Sequence, residues 1–304
     1  MSILERKVEE NYDGIVIREF LKEELDLSSR LIRRSALEKR IFVNDEPVRM
    51  RKVLHTGDVV KIQLQREESQ NIIPEKMDLD IVYEDEDILV LNKPPYTVVH
   101  PTRGYPTGTL ANGILYYFQD TNQNCIVRLV SRLDMDTSGL IVIGKNQYAH
   151  MALSKEMKLN RMEKRYLAVV HGHLKEKEGT INLPIFKPED EESIFKRIVD
   201  ERGQESVTHY KVVKSFENAD LVECLLETGR THQIRVHLSH IGHPIYGDTL
   251  YGYGEEEKDL IPRQALHAYK LKFQCPRSKE MLSLEASLPK DIQDLISKLE
   301  KVEK

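Results

Sequence analysis

Short apolar segments recur along the chain from Leu79 onward, and turns separate them as often as helical stretches do. Their length and composition are typical of β-strands, and they occupy residues 81–83, 88–92, 140–144, 166–170, 207–213 and 221–226. After Pro289, apolar residues recur at helical spacing and predict a closing helix. The pattern favours an α+β fold with a mixed, largely antiparallel central sheet over a doubly wound fold.

The first part of the chain has a different pattern and predicts a small separate domain over residues 14–65. Helices are expected around residues 17–25 and 28–38, with Ser28 or Ser29 as the N-cap of the second. A strand, turn and strand should follow over 41–48, and another strand over 59–64. Residues 66–78 are polar and lack periodicity, so we expect a linker there and a larger domain over 79–304.

Basic residues are concentrated in the small domain, although the whole chain carries a formal net charge of -5. Residues 28–52 hold three acidic groups and eight basic ones: Arg30, Arg33, Arg34, Lys39, Arg40, Arg49, Arg51 and Lys52. One interpretation is a solvated helix face. The other is a surface that binds nucleic-acid phosphates, because clustered cations release counterions from such a backbone.

A resemblance favours the second interpretation. Residues 27–30, the sequence Val43-Asn44-Asp45-Glu46-Pro47-Val48 and residues 57–60 resemble the small S4 RNA-binding domain, in which basic helices precede a strand. The resemblance implies that Arg30, Arg33 and Arg34 contact RNA.

Composition excludes several other classes of protein. No apolar run approaches the roughly 18 residues of a membrane span, and the first residues are acidic where a signal peptide is apolar. We therefore expect a soluble, cytoplasmic protein without a membrane partner. The three cysteines, Cys125, Cys224 and Cys275, form no CxxC pair and indicate neither a disulfide framework nor a zinc ribbon.

Two acids lie in a loop between apolar segments, in the sequence Arg132-Leu133-Asp134-Met135-Asp136-Thr137-Ser138-Gly139. Asp, Thr, Ser and Gly are also ordinary turn formers. A calcium loop is excluded because its twelfth position is Lys145 instead of a glutamate. The Asp134-x-Asp136 pattern leaves open a magnesium-dependent aspartyl-phosphate phosphatase as a weak alternative.

A second polar segment, Gly229-Arg230-Thr231-His232-Gln233-Ile234-Arg235-Val236-His237, opens a predicted helix that begins after Arg230. Its histidines lack an H-E-x-x-H spacing, so we predict no metal site. Arg230 and Arg235 suit carboxylate or phosphate partners. A third segment, Lys164-Arg165-Tyr166, begins an apolar strand, and a strand tyrosine is more often core packing than a functional group.

Together, and in this order, these segments resemble the RNA pseudouridine synthases of the RluA/RluD branch, which pair an S4-like domain with a catalytic domain. Further matches are Asn92-Lys93-Pro94-Pro95, Gly242-His243-Pro244, Gly247-Asp248 and Ala265-Leu266-His267-Ala268. The resemblance spans nearly the whole chain and implies the pseudouridine synthase fold.

The resemblance also implies roles for individual residues. Asp134 matches the essential aspartate, Tyr166 the active-site tyrosine, and Arg230 the arginine that pairs with the aspartate. Arg132 matches an arginine that contacts RNA and helps displace the target nucleotide, and Leu266 an apolar residue under the target base. We also assign Arg235 to substrate binding.

The expected reaction breaks the bond from uracil N1 to ribose C1′ and rejoins the base through C5, so it requires neither a cofactor nor a metal. The substrate would be structured RNA, with ribosomal RNA favoured and transfer RNA possible, and the enzyme would act as a monomer. The alternative from another class is a non-catalytic RNA-binding or ribosome-assembly factor.

Overall fold

The computed structural model describes residues 2–64, 70–189 and 195–302. The N-terminal unit contains a four-stranded antiparallel sheet in the order β1-β4-β2-β3. Its elements are β1 (Ile3–Lys7), a short 3-10 helix (Glu10–Tyr12), α1 (Ile17–Glu23), α2 (Ser29–Leu37), β2 (Ile41–Val43), β3 (Glu46–Pro47) and β4 (Val59–Gln63). Because β1 pairs with β4, this sheet begins upstream of residue 14, where the sequence placed the start of the domain.

Local chemistry explains the expected parts of this unit. The Ser28 side chain accepts a hydrogen bond from the backbone N–H of Leu31 and caps α2 as predicted. Asn44 and Asp45 both have positive φ values, 51° and 66°, so they form the tight turn that joins β2 to β3. The apolar faces of both helices pack on the sheet around Phe20 and Leu31.

The larger unit is built on a ten-stranded sheet in the order β10-β13-β14-β9-β15-β8-β6-β5, with β16 beside β15 and β7 beside β8. Its strands are β5 (Ile81–Glu84), β6 (Ile88–Lys93), β7 (Arg128–Leu129), β8 (Ser138–Gly144), β9 (Glu163–His171), β10 (Glu178–Asn182), β13 (Val207–Ser215), β14 (Ala219–Leu226), β15 (Leu266–Gln274) and β16 (Met281–Glu285). A separate two-stranded sheet joins β11 (Ile185–Phe186) to β12 (Ile198–Val199). The helices are α3 (Leu110–Asp120), α4 (Gln147–Lys158), α5 (Gln233–His240) and α6 (Lys290–Val302).

The large sheet is mixed and mainly antiparallel, as predicted. The pairing of β15 with β8 is parallel, and the other registered pairs are antiparallel. β8 is buried along its whole length because its side chains alternate between two cores. Ile141 and Ile143 face the core that contains α3, whereas Val142 faces the core that contains α4. The closing helix is present as α6, and Leu295 on it is fully buried.

The segment expected to be a linker is partly packed. Gln70 exchanges two hydrogen bonds with the backbone of Val127, and Ile72 is 8% exposed in the α3 core. No helix or strand is assigned between residues 70 and 80. Residues 65–69, which include the start of the predicted linker, lie outside the described residues.

The two units are in contact through α4 and the turn before β16. Tyr148 on α4 is buried in the core of the N-terminal unit and donates a 2.5 Å hydrogen bond to the carbonyl of Pro276. Arg277 donates to Ser2 Oγ at 2.8 Å and to the carbonyl of Ile3, and it also pairs with Asp87 at 2.9 Å. Among the described helices, none is long and apolar enough to cross a membrane.

Candidate active site

A cavity of about 970 Å³ lies between the loop before β8, the face of β9 that carries Lys164 and Tyr166, and the start of α5. The residues predicted to be functional in the larger unit all line it: Arg132, Asp134, Tyr166, Arg230, Arg235 and Leu266. The structure therefore gathers side chains from four separate segments of the sequence. Arg30, Arg33 and Arg34 are not among its lining residues.

The loop that carries Asp134 is fixed by contacts with β15 and with the segment just before it. Gly139 follows it at the start of β8 with φ +115°, and a Cβ at this position would overlap the backbone of Ala268 on β15. Only glycine tolerates both this φ and this close approach. Arg263 donates to the carbonyl of Asp136 at 2.8 Å, and His267 shares a 2.9 Å hydrogen bond with Ser138. The loop is thus held by contacts to its backbone and to its C-terminal end.

Lys93, fully buried at the end of β6, is a second support. Its ammonium donates to the carbonyls of Pro94, Thr97 and Met135 at 2.8, 3.0 and 2.8 Å. Burial lowers the pKa of Lys93 to about 7, against the opposing influence of Asp136 and then Asp134. The protonated form has all three donors satisfied, and it fixes the carbonyl next to Asp134.

The guanidinium that contacts Asp134 belongs to Arg235, so the expected pairing with Arg230 is wrong. Arg235 Nη1 lies 3.2 Å from Asp134 Oδ2. The side chain of Arg230 is exposed on the rim of the cavity, and its Nε donates to the carbonyl of Glu205 at 3.2 Å. The helix starts only at Gln233, after His232 in the left-handed conformation, and this places Arg235 in its first turn facing inward.

Arg235 also binds Asp248, a fully buried residue in the loop after α5. Nε donates to Oδ2 at 2.7 Å and Nη2 to Oδ1 at 2.9 Å. Burial lowers the pKa of Arg235, but the hydrogen bonds and charge of Asp248, followed by Asp134, outweigh it and raise that pKa overall. Arg235 is therefore a permanent cation between two carboxylates.

His232 approaches the same aspartate from another side. Its Nε2 lies 3.9 Å from Asp134 Oδ2, and its Nδ1 is 2.9 Å from the hydroxyl of Tyr251. Burial lowers the pKa of His232, although the charge of Asp134 opposes this change. A neutral imidazole at pH 7 thus lies beside Asp134, at a distance too long for a hydrogen bond.

Tyr166 and Lys164 project from β9 into the cavity, because alternate residues of a strand share a face. Burial and then the charge of Asp134 raise the pKa of Tyr166, so its phenol is neutral at pH 7. Leu266, 4% exposed, supplies an apolar wall, and Lys164 is a buried cation whose pKa burial lowers.

Arg132 is exposed at the mouth of the cavity. On α2, Arg30 and Arg33 are exposed, whereas Arg34 is partly engaged by Glu38 at 3.2 Å. α4 connects the two regions: its Lys155 pairs with Asp26 at 2.6 Å, and its Lys158 lines the cavity. The loop before the basic helix and the cavity therefore both contact the C-terminal half of α4.

No group of three or more His, Cys, Asp or Glu side chains that could hold a metal ion occurs within residues 2–64, 70–189 and 195–302. The histidines of the α5 segment have other partners; His237, for example, contacts Thr208 Oγ1 and the carbonyl of Leu183. Asp136 is half-buried with no hydrogen bond to Oδ1, and burial raises its pKa against the nearby cations.

Four residues at the site were not predicted to be functional, although each stands in a sequence motif named above: Lys93, Lys164, His232 and Asp248. In the sequence, each of them is visible only as a polar residue within an apolar or turn segment. Which neighbour each side chain meets depends on contacts between strands and loops far apart in sequence.

Two family models match the chain. One described as RNA pseudouridylate synthase matches residues 87–240, and one described as the RluD ribosomal pseudouridine synthase N-terminal domain matches residues 4–60. The first spans half of the chain and includes the loop of Asp134, Tyr166 and Arg235.

Named relatives agree with these matches. The chain is 42% identical over 294 residues to the uncharacterized RNA pseudouridine synthase YhcT of Bacillus subtilis, covering 96% of each protein. It is 39% identical to ribosomal large subunit pseudouridine synthase D of Neisseria meningitidis, covering 86% of this chain and 72% of that protein. The solved structure of human RNA pseudouridylate synthase domain containing 1 shares 27% identity, with a TM-score of 0.56 over 73% of this chain and 94% of that one.

The cavity with its buried aspartate and arginine, the two family models and the relatives lead to one conclusion. The chain belongs to the RNA pseudouridylate synthase family and is an isomerase that acts on uridine in RNA.

Proposed function

We propose that this enzyme isomerises uridines in ribosomal RNA, with Asp134 as the catalytic carboxylate and without a cofactor. The observation that carries the proposal is the contact of Arg235 Nη1 with Asp134 Oδ2 at the wall of a cavity. The cavity is lined by both apolar and polar groups, as a flipped nucleoside requires. Ribosomal RNA is favoured because relatives named for the large ribosomal subunit match most of the chain.

Asp134 would act as an ionised carboxylate, either attacking C1′ or withdrawing a ribose proton. Arg235 stabilises its negative charge and fixes its direction. The N1–C1′ bond breaks, the base turns, and C5 bonds to C1′ while the C5 proton leaves and N1 gains one. Atoms and electrons balance within the substrate and water, which is why no oxidant or cofactor is required.

The surrounding groups would serve the flipped base. Tyr166, neutral at pH 7, is suited to stacking on the detached uracil over the apolar wall of Leu266. Arg132 at the mouth is placed to fill the gap that the nucleotide leaves in the RNA. Arg230 on the rim and buried Lys164 are available for the flanking phosphates.

The N-terminal unit would supply sequence-independent affinity. Exposed Arg30 and Arg33 on α2 can bind phosphates at once, whereas Arg34 must first leave Glu38. Replacing Arg30 and Arg33 by Gln should raise KM for RNA, lower the dependence of binding on log salt by about 2, and leave kcat unchanged. We further infer that the enzyme acts in the cytoplasm, where ribosomal RNA is present, as a monomer of 35.3 kDa.

The decisive experiment combines purified wild-type protein with ribosomal and transfer RNA transcripts and maps pseudouridine by carbodiimide modification and primer extension. Asp134→Asn should form no product, while Asp259→Asn, a change at an exposed carboxylate outside the cavity, should match wild type. Retained activity in Asp134→Asn would reject the catalytic assignment. Product in transfer RNA alone would reject ribosomal RNA as substrate.

The alternative function is a non-catalytic one, in which the same site binds RNA without modifying it. It predicts equal RNA binding by wild type and Asp134→Asn with no pseudouridine from either. The phosphatase alternative predicts magnesium-dependent phosphate release, and family membership argues against it.

A further inference from the structure

Asp248 is a fully buried carboxylate that contacts Arg235, the partner of Asp134, and does not contact Asp134 itself. Its two oxygens each accept a hydrogen bond from Arg235, one from Nε at 2.7 Å and one from Nη2 at 2.9 Å. This is the bidentate edge of the guanidinium, which gives both the strongest and the most directional pairing with a carboxylate. Asp248 therefore occupies the edge that could otherwise turn toward Asp134.

The contact left for Asp134 is a single one. Nη1 of Arg235 reaches Oδ2 at 3.2 Å, longer than either bond to Asp248. Among the described residues, none donates a hydrogen bond to Oδ1 of Asp134. One oxygen is thus held, and the other, on a side chain that lines the cavity, has no hydrogen bond among the described residues.

The turn that carries Asp248 is itself fixed. Oδ1 of Asp248 accepts from the backbone N–H of Leu250 at 2.9 Å and of Tyr251 at 3.0 Å. The ring of Tyr251 lies 5.1 Å from Cζ of Arg235. The carboxylate thus cannot follow the guanidinium if Arg235 turns.

We propose that Asp248 is a positioning residue for pseudouridine formation: it binds the two-nitrogen edge of Arg235, so that Asp134 receives one hydrogen bond and keeps Oδ1 free to react. Without Asp248, Arg235 turns this edge to Asp134 and engages both of its oxygens. The inference rests on the proposed role of Asp134. It assigns to Asp248 no contact with RNA, because its side chain is inaccessible.

The first test is Asp248→Asn in steady-state assays on an RNA transcript. The amide keeps the shape and an oxygen for the turn, but it presents an N–H group to a guanidinium that can only donate. We expect kcat to fall about 100-fold, the loss typical of a small misplacement of a reacting group, with KM for RNA unchanged. A matched control is Asp220→Asn, since Asp220 is also fully buried and accepts from the backbone N–H of Leu174, far from the cavity. The control should lose stability and retain kcat.

A double-mutant cycle separates positioning from a merely structural role. In an Arg235→Lys background the bidentate edge is absent, so Asp248→Asn should cost less than about threefold in kcat. An undiminished cost in that background, or a rise in KM with kcat intact, would overturn the proposal.

A readout without catalysis keeps the inference separate from the proposed function. In wild type the Arg235 Nε–H should give a slowly exchanging ¹⁵N resonance, and this resonance should shift in Asp248→Asn because Nε–H exchanges its bond to Asp248 for one to Asp134. If that variant does not fold, Asp248→Glu, which retains the charge but displaces it by one methylene, is measured instead with the same expectation. An unchanged resonance rejects the inference, whereas absence of pseudouridine from wild type rejects only the proposed function.

Discussion

Nη1 of Arg235 lies 3.2 Å from Oδ2 of Asp134, although 101 positions separate the two residues in the sequence. Arg230, the other arginine of the same motif, contacts the carbonyl of Glu205 instead. The charge that faces the carboxylate is therefore delivered by the first turn of α5 and not by the loop before it.

Substitutions of Arg235 and Arg230 should affect different kinetic parameters. Arg235→Gln removes the guanidinium that contacts Asp134 and should lower kcat about 100-fold or more, because a preorganised charge partner is lost. Arg230→Gln removes a rim cation and should raise KM for RNA with kcat within about fivefold. Steady-state assays on one RNA transcript measure both. Equal effects on kcat would contradict the assignment.

The phenol of Tyr166 should resist ionisation. Burial and the charge of Asp134 raise its pKa, so it should stay protonated well above pH 10, where an exposed tyrosine is half ionised. The difference in absorbance at 295 nm between wild type and Tyr166→Phe, followed from pH 8 to 11, isolates this single group. A difference signal with a midpoint near pH 10 would show that Tyr166 is solvated and would remove the case for a neutral stacking partner.

Gly139 should be irreplaceable, and Gly242 offers a matched comparison. Both have positive φ, +115° and +88°, but a Cβ at Gly139 overlaps Ala268 while Gly242 has open space around it. Gly139→Ala should cost about 3 kcal/mol from overlap and backbone strain, and Gly242→Ala about 1 kcal/mol from strain alone. Urea denaturation gives both values. Similar costs would mean that β8 and β15 are farther apart than described.

His267 should make the protein sensitive to mild acid. Burial lowers its pKa to about 4, from 6.5 in an exposed histidine. Below pH 6.5 the unfolded chain binds a proton at this residue and the folded chain does not, so stability falls from pH 6.5 to about pH 4, by about 3 kcal/mol in total.

His267→Asn keeps a polar atom for Ser138 and removes the titration. The free energy of unfolding of this variant should fall less steeply than that of wild type over this range, as measured by urea denaturation at pH 7, 6, 5 and 4. Parallel slopes would place the titrating group elsewhere.

Local signals predicted much of the fold. The Ser28 cap, the Asn44-Asp45 turn and the apolar strands around β8 depend on neighbours in sequence and were confirmed. β1 was missed because its partner, β4, lies more than 50 residues away, and its own sequence has few apolar residues. β15 was missed too, and its parallel pairing with β8 depends on the close approach at Gly139.

The sequence predicted which residues line the site but not which arginine contacts Asp134. Motif order identified Asp134, Tyr166 and Arg230, and Arg235 was assigned to substrate binding; all four line one cavity. The choice of Arg230 over Arg235 was wrong because both arginines fit a carboxylate equally well as residue types. The left-handed residue His232 sets the direction in which the helix starts, and sequence does not reveal its conformation.

Arg277 ties the first residues of the protein to a turn near its end, through Ser2, Ile3 and Asp87. During translation the N-terminal unit leaves the ribosome first, whereas this fastening can close only once Arg277, 275 positions after Ser2, has been added. A nascent chain that ends before Arg277 therefore lacks this fastening, whereas the finished enzyme holds its basic helix at a set distance from the catalytic cleft.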